Sequence, residues 1–141
     1  MKWFFDSSVL VPVFYRDHIH HEASLKAFEA AQKKDSCCAV HGLAEVYSTM
    51  TRLPGKYRLN GDQALLFLES IKDRCTLIAL DAVEYVSAIE TGASLGIVGG
   101  TIYDVLLSQY ALKANAETIL TWNLEDFRRL GPEVAKRVKT P

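Results

Sequence analysis

Short apolar segments that alternate with helical segments constrain the fold of this chain more than any other feature. The first, residues 3–5, is a continuous apolar run, as a strand covered on both faces requires. Further strand candidates lie at residues 36–40, 75–80 and 117–121 and near Val138. Strands that alternate with helices form a parallel sheet with helices on both faces. We therefore predict a three-layer α/β/α sandwich whose central, mostly parallel sheet has four to five strands.

The helical segments are indicated by apolar residues at helical spacing and by capping residues at their starts. Ser7 or Ser8 can cap the first helix, Asp81 the fifth and Thr101 the sixth. The sixth helix is apolar nearly all round and is therefore expected to be buried on most sides. The helices are predicted at residues 7–16, 22–34, 41–52, 62–72, 82–95 and 102–114, and Asn60 is an alternative start of the fourth.

Composition limits the class of protein. The chain has 141 residues, which fits one domain spanning residues 1–141. Its net charge of −1 gives no overall basic field, so any contact with a polyanion must be a local patch. No apolar run approaches the ~20 residues of a membrane span, and the N-terminus is unlike a signal peptide. A soluble, cytoplasmic protein is expected, with its three cysteines as buried thiols rather than a zinc site or disulfides.

Acidic or amide side chains follow the predicted strands where each one ends. Asp6 comes directly after the first strand, Glu45 lies early in the helix that follows the second, and Asp104 lies within the buried sixth helix. Asn123 and Asp126 follow the fourth strand. In a parallel sheet all strand carboxyl ends share one edge, where ligands bind. We therefore expect Asp6, Glu45, Asp104 and one of Asn123 or Asp126 to converge.

Each of these acids also has a structural interpretation. Asp6 can cap the first helix, Glu45 can belong to a solvated helix face, and Asp126 can be a helix-turn residue. Asp81 follows a strand too, but its capping role explains it, so it ranks last as a site residue. A carboxylate within an apolar helix is costly to bury unpaired, which favours a functional role for Asp104.

Clustered carboxylates repel one another unless a cation lies between them. Ligands that are all oxygen select hard ions such as Mg²⁺ or Mn²⁺. Such ions bind phosphate oxygens and activate water, so metal-assisted hydrolysis of a phosphodiester is the chemistry that this pattern favours. No histidine or cysteine occupies a comparable position.

Two other polar clusters have weaker implications. Residues 17–22, with three histidines, look like a metal cluster, but their place before an amphipathic helix favours a loop and a solvated first turn. Arg52, Lys56 and Arg58 surround a Pro-Gly turn; such a run is usually a solvated loop, and a contact with a polyanion is the alternative. Arg128 and Arg129 form a second basic pair.

Four short motifs in this order resemble the PIN-domain nucleases, and among them the VapC-type toxins of toxin–antitoxin pairs. They are Phe5-Asp6-Ser7-Ser8-Val9-Leu10, Ala44-Glu45-Val46-Tyr47, Ile102-Tyr103-Asp104-Val105-Leu106, and Ile119-Leu120-Thr121-Trp122-Asn123-Leu124-Glu125-Asp126-Phe127. The resemblance implies a three-layer α/β/α fold and an endoribonuclease that depends on Mg²⁺ or Mn²⁺. It also implies a homodimer that is inhibited by an antitoxin protein. For contact with an RNA substrate, the candidates are Arg52, Lys56 and Arg58, followed by Arg128 and Arg129.

By the family motif, Asp6, Glu45 and Asp104 carry over as metal-binding acids. The last motif often has a fourth acid where this chain has Asn123, so Asn123 or Asp126 completes the metal and catalytic set. Thr121 carries over as a supporting hydroxyl, and Ser7 and Ser108, each close in sequence to one of the acids, are further candidates for that role.

Two rival functions are open at this stage. A catalytically weak or inactive PIN-fold module that binds RNA or protein is favoured by Asn123 and by the lack of net positive charge. A phosphatase with Asp6 as nucleophile, similar to the haloacid-dehalogenase-like enzymes, is disfavoured. In those enzymes the strand ends in Asp-x-Asp, whereas this chain has Ser8 where the second aspartate would be.

Overall fold

A computed structural model describes all residues, 1–141, and has a five-stranded sheet at its centre. The strands are β1 (Trp3–Phe5), β2 (Ser36–Ala39), β3 (Thr76–Ile78), β4 (Thr118–Leu120) and β5 (Val138–Lys139). Their order across the sheet is β3-β2-β1-β4-β5, and every neighbouring pair is parallel. The predicted fold class is therefore confirmed, with a sheet that is wholly parallel.

Eight helices connect the strands. They are α1 (Ser7–Val13), α2 (His21–Ala30), α3 (Val40–Arg52), α4 (Gly61–Arg74), α5 (Ala82–Ser94), α6 (Ile102–Lys113), α7 (Leu124–Arg128) and α8 (Pro132–Ala135). Two single 3₁₀ turns, Gly55–Tyr57 and Gly99–Thr101, precede α4 and α6. None of the eight helices combines the length and the apolar character that a bilayer-spanning segment needs.

Two hydrophobic cores lie on opposite faces of the sheet. Successive side chains of a strand point to opposite faces, so Phe4 and Cys37 enter one core while Phe5 and Cys38 enter the other. The Phe4 core is completed by residues of α5 to α8, and the Phe5 core by residues of α1 to α4. This arrangement produces the three layers. All three cysteines are free and buried, as predicted.

Reciprocal capping fixes the starts of two helices. The Asn60 side chain accepts a hydrogen bond from the amide of Gln63, whose side chain accepts one from the amide of Asn60. Asp81 and Glu84 make the same exchange at α5. Capping therefore accounts for Asp81 without a role in the site, as the sequence indicates.

Three details of the helix predictions are wrong. The first helix ends at Val13 rather than residue 16, because Pro12 has no N–H to donate and the next turn tightens, with Phe14 and Tyr15 donating to carbonyls three residues back. The second ends at Ala30 rather than 34, because a turn between Gln32 and Asp35 directs the chain into β2. Thr101 makes no side-chain cap.

The strand order places a crevice at the carboxyl edge of the sheet. From β1 the chain first adds β2 and β3 on one side and then returns to add β4 and β5 on the other. The switch point thus lies at β1 and β4, which pair over Trp3–Phe5 and Thr118–Leu120. Ligands of open α/β sheets bind at such a point. Asp6 and Thr121 directly follow these two strands.

Candidate active site at the carboxyl edge of the sheet

Asp6 is a buried carboxylate that does not cap the helix it precedes. It occupies the N-cap position of α1 without a side-chain capping bond, so the capping interpretation is wrong. Its Oδ2 atom instead accepts hydrogen bonds from the hydroxyls of Ser8 at 2.6 Å and Thr121 at 2.8 Å. Its side chain is held between the end of β1 and the end of β4, and the residue is only 3% exposed.

The two hydroxyls connect Asp6 to the backbone after β4. The amide of Trp122 donates to the Ser8 hydroxyl at 3.0 Å, and the amide of Asn123 donates to the Thr121 hydroxyl at 2.9 Å. Burial raises the pKa of Asp6, and the hydrogen bonds from Ser8 and Thr121 oppose that rise. The hydroxyls therefore favour the charged form of this carboxylate, which burial disfavours.

Glu45 has a buried oxygen without a partner. Its Oε1 atom is shielded from solvent and makes no hydrogen bond, although the side chain as a whole is half-buried on α3. Burial, the charge of Asp6 and, more weakly, that of Asp104 raise the pKa of Glu45 to about 7. An unsatisfied buried carboxylate oxygen is costly, so its presence calls for a ligand.

Asp104 lies in the first turn of α6 and is also half-buried. Burial raises its pKa, and the charges of Asp126 and Asp6 add to the rise, while Arg129 opposes it. Asp126 lies on α7, is about half exposed, and forms an ion pair with Arg129 at 3.4 Å. Asp6, Glu45 and Asp104 therefore lie within electrostatic range of one another, and Asp126 joins them through Asp104.

The side chains, as they stand, form an electrostatic cluster rather than a closed ligand set. No three carboxylate, histidine or cysteine side chains lie close enough together to ligate one ion directly. Carboxylates without a counter-ion repel one another. Mg²⁺ commonly uses only one or two carboxylates and keeps several of its waters. An all-oxygen cluster with an unsatisfied Glu45 oxygen and raised pKa values suits a hard divalent ion bound in that way.

The other predicted residues have different surroundings. Asn123 is exposed and precedes α7, where its side chain makes no capping bond. Ser7 lines a cavity beside Asp6, and its hydroxyl partly opposes the rise in the pKa of Glu45. Ser108 is buried and donates to the carbonyl of Val105 at 2.7 Å in its own helix, so it contacts none of the acids through hydrogen bonds.

Of the cations predicted around the Pro-Gly turn, Arg52 borders the acids. It shares a cavity of about 590 Å³ with Glu45 and Tyr103. Arg58 instead donates to the carbonyl of Leu53, which holds the turn, and Arg128 pairs with Glu125 at 2.9 Å.

Lys56 lies over the ring of Tyr57, 5.2 Å from its centre. Arg129 forms an ion pair with Asp126, and its charge also lowers the pKa of Asp104. Arg52 and Arg129 are therefore the cations that border the carboxylates, on α3 and directly after α7.

Two features at this edge are absent from the sequence-based prediction. Ser8, expected only as a possible cap, is a direct donor to Asp6. The ring of His20 stacks on Trp122, with centres 3.7 Å apart and planes at 9°. A serine two residues after an aspartate is a common hydrogen-bond partner, so Ser8 had a local signal. The stacked pair had none, since its members are distant in sequence.

Comparison with known proteins identifies the family of this chain. The PIN domain family matches residues 3–131. The chain is 33% identical over 132 residues to Ribonuclease VapC40 of Mycobacterium tuberculosis, covering 92% of this chain and 94% of that protein.

Solved structures have the same fold. A crystal structure of Mycobacterium tuberculosis VapC20, a toxin that cleaves the sarcin–ricin loop, superposes with a TM-score of 0.68 at 14% identity, over 86% of this chain and 90% of that one. VapBC2 of Rickettsia felis, bound to a DNA fragment from its promoter, gives a TM-score of 0.67 at 17% identity over 100% and 99%. On the extent of the family match and the identity to VapC40, this chain belongs to the PIN domain family.

Proposed function

We propose that this protein is a metal-dependent endoribonuclease of the VapC type, which hydrolyses RNA phosphodiester bonds at the carboxylate cluster. Mg²⁺ or Mn²⁺ is the proposed ion. Asp6, Glu45 and Asp104 are the proposed metal-binding and catalytic acids, Asp126 is the fourth acid, and Asn123 lies at the edge of the metal site. When bound, such an ion polarises the phosphate and lowers the pKa of a bound water.

The observation that carries this proposal is the unpartnered Oε1 atom of Glu45 among three further acids. A purely structural cluster would pair its charges with nearby cations. Here only Asp126 has an ion pair, and Asp6 has two hydroxyl donors and no cation. The missing positive charge is supplied, in our proposal, by the divalent ion. Arg52 and Arg129 border the cluster and are placed to contact phosphates of the bound strand.

Partner proteins are part of the same proposal. An inhibitory antitoxin and a second copy of this chain are the expected partners, as in toxin–antitoxin pairs. The apolar side chains that α5 leaves exposed offer a surface for such contacts, namely Val83, Val86 and Ile89. Expression of the protein alone should arrest growth, and co-expression of a small protein from a neighbouring gene should relieve the arrest.

The enzymatic proposal is tested by RNA cleavage with matched acid-to-amide variants. Asp104→Asn removes one charge of the cluster, and Asp81→Asn removes a charge that also follows a strand but serves as a helix cap. Asparagine caps helices nearly as well as aspartate, so both variants should fold. We expect the wild type and Asp81→Asn to cut RNA with Mg²⁺ or Mn²⁺ and to stop in excess chelator, whereas Asp104→Asn should be inactive.

Undiminished cleavage in excess chelator would contradict the metal-dependent mechanism. A folded wild type that binds RNA but cuts none with either ion would favour the inactive binding module. Trapping of a phosphorylated Asp6 would favour the phosphatase instead.

A further inference from the structure

A second cavity adjoins the carboxylate cluster on the side of Asp6. It has a volume of about 400 Å³, within the roughly 300–1,000 Å³ of small-ligand pockets. Its lining contains no lysine, arginine, aspartate or glutamate; the residues are Ser7, Ser8, Val11, Pro12, His18, His20, Thr49, Trp122 and Asn123. The cavity therefore suits a neutral, planar, partly polar group better than a phosphate.

The aromatic wall of this cavity is held rigidly. Trp122 is fixed at both ends, since its indole N–H donates to the buried hydroxyl of Ser24 at 2.9 Å and its amide donates to Ser8 at 3.0 Å. His20 lies flat on the indole at 3.7 Å. An aromatic surface that is fixed before binding loses little entropy when a base stacks on it.

Polar groups beside the rings can contact the edge of a base. The Nδ1 atom of His18 accepts a hydrogen bond from the amide of His20 at 3.0 Å. Because Nδ1 accepts this bond, it carries no proton, and the ring proton lies on Nε2. Burial and the neighbouring His20 and His21 also lower the pKa of His18, which favours this neutral form. His18 thus offers an N–H donor, and the Asn123 carboxamide in the same lining offers both a donor and an acceptor.

We propose that this cavity is a nucleobase subsite, which takes one unpaired base of an RNA strand next to the carboxylate cluster. The inference rests on the nuclease function proposed above and adds to it the part of the substrate that the chain recognises. Sequence-specific RNA recognition commonly stacks splayed, single-stranded bases on aromatic side chains.

The Ser8 hydroxyl bonds both to Asp6 and to the amide of Trp122, so the subsite and the cluster share one hydrogen-bonded frame. A neighbouring cavity of about 350 Å³ shares Val11, His18 and Thr49 with this one and continues to Tyr15 and Tyr57. That continuation gives the strand a path toward the turn that carries Lys56 and Arg58.

The subsite is tested by binding of a short, labelled single-stranded RNA, measured by fluorescence anisotropy in excess chelator. A single abasic position is moved along the oligonucleotide. At one position, the missing base should weaken binding to the wild type roughly 5- to 150-fold, which is the range for loss of one base–aromatic stack.

His20→Ala should weaken binding of the intact RNA by a similar factor and should cause no further loss with the sensitive abasic RNA. His20→Phe, which keeps the stack, should retain most of the affinity. The matched control is Ile19→Ala, because Ile19 belongs to the same turn, is 90% exposed and does not line the cavity. It should bind like the wild type.

If no abasic position weakens binding, the subsite proposal is wrong. This part of the test uses only the wild-type protein, so it does not depend on whether a variant folds. Equal affinity of His20→Ala and the wild type for intact RNA would overturn it as well, as would tighter binding of a duplex of the same sequence. Because binding is measured without catalysis, failure of RNA cleavage would count against the nuclease alone.

Discussion

The hydroxyl of Thr121 donates a 2.8 Å hydrogen bond to the Oδ2 atom of Asp6, joining residues 115 positions apart in the chain. The two residues directly follow β1 and β4, which pair at the switch point of the sheet. The bond therefore connects the first acid of the cluster to the segment that follows β4, residues 121–126. Function at this edge depends on strand pairing that brings distant segments together.

Thr121→Val should destabilise the protein by roughly 1.5–3 kcal/mol, because it leaves a buried carboxylate with one donor fewer. Unfolding by urea, followed by far-UV circular dichroism, measures the change. The control is Thr51→Val, because the Thr51 hydroxyl donates only to the carbonyls of Tyr47 and Ser48 within its own helix. Equal stabilities of the two variants would show that the Asp6 bond contributes nothing specific.

The stability of the metal-free protein should fall as pH rises from about 4.5 through about 7. Glu45 has a pKa of about 7 when folded and 4.5 as its ordinary value, so the folded state holds the proton more tightly in this window. Stability from this group is complete below the ordinary pKa and lost as pH passes the folded one. Thermal unfolding from pH 4.5 to 8 in chelator measures it.

Glu45→Gln should flatten this pH dependence. At pH 8, adding Mn²⁺ to the metal-free wild-type protein should raise its free energy of unfolding again. A wild-type stability that rises steadily over the same window in chelator would contradict the raised pKa. The carboxylates of Asp6 and Asp104 shift in the same direction, so the variant should remove part of the slope rather than all of it.

Asp126→Asn should weaken Mn²⁺ binding by roughly 10- to 100-fold, the usual cost of removing a group that supports metal ligands. The reason is that the Asp126 charge acts directly on Asp104. Glu125→Gln is the control, because this neighbour on α7 loses an equal charge but pairs outward with Arg128. Isothermal titration calorimetry measures both. Similar losses in the two variants would indicate a general charge effect.

Arg52→Gln should weaken RNA binding and reduce the slope of log K against log salt by about 1, as expected for the loss of one phosphate contact. Arg52 lines the same cavity as Glu45, whereas Lys72 pairs with Glu69 on the exposed side of α4. Lys72→Gln should leave both affinity and slope unchanged. An unaltered slope for Arg52→Gln would remove this residue from the RNA path.

Much of the fold followed from local pattern. Apolar runs and helical spacing predicted every strand and the six long helices. The errors concern the C-terminal ends of two helices, which are set by Pro12 in α1 and by the turn between Gln32 and Asp35 after α2. Helix ends are set by such local competition, which periodicity does not detect.

The acids could be predicted as a group because strand ends in a parallel sheet share an edge. Their contacts could not. Whether Asp6 caps α1 or accepts from Thr121 depends on how two distant strands pair, and the His20–Trp122 stack depends on how α2 packs beside that edge. The same limit applies to Asn123 and Asp126, since only the fold shows which of them acts on Asp104.

The central claim is that the charges of Asp6, Glu45 and Asp104 together attract a divalent ion, which one or two of these carboxylates bind directly while it keeps several of its waters. It is tested most directly by titrating Mn²⁺ into the metal-free protein in parallel with Asp104→Asn and Asp81→Asn, at pH 8 where Glu45 is ionised. We predict saturable binding to the wild type and to Asp81→Asn, and its loss in Asp104→Asn. Absence of saturable binding to the folded wild type, or equal binding to all three proteins, would contradict the claim.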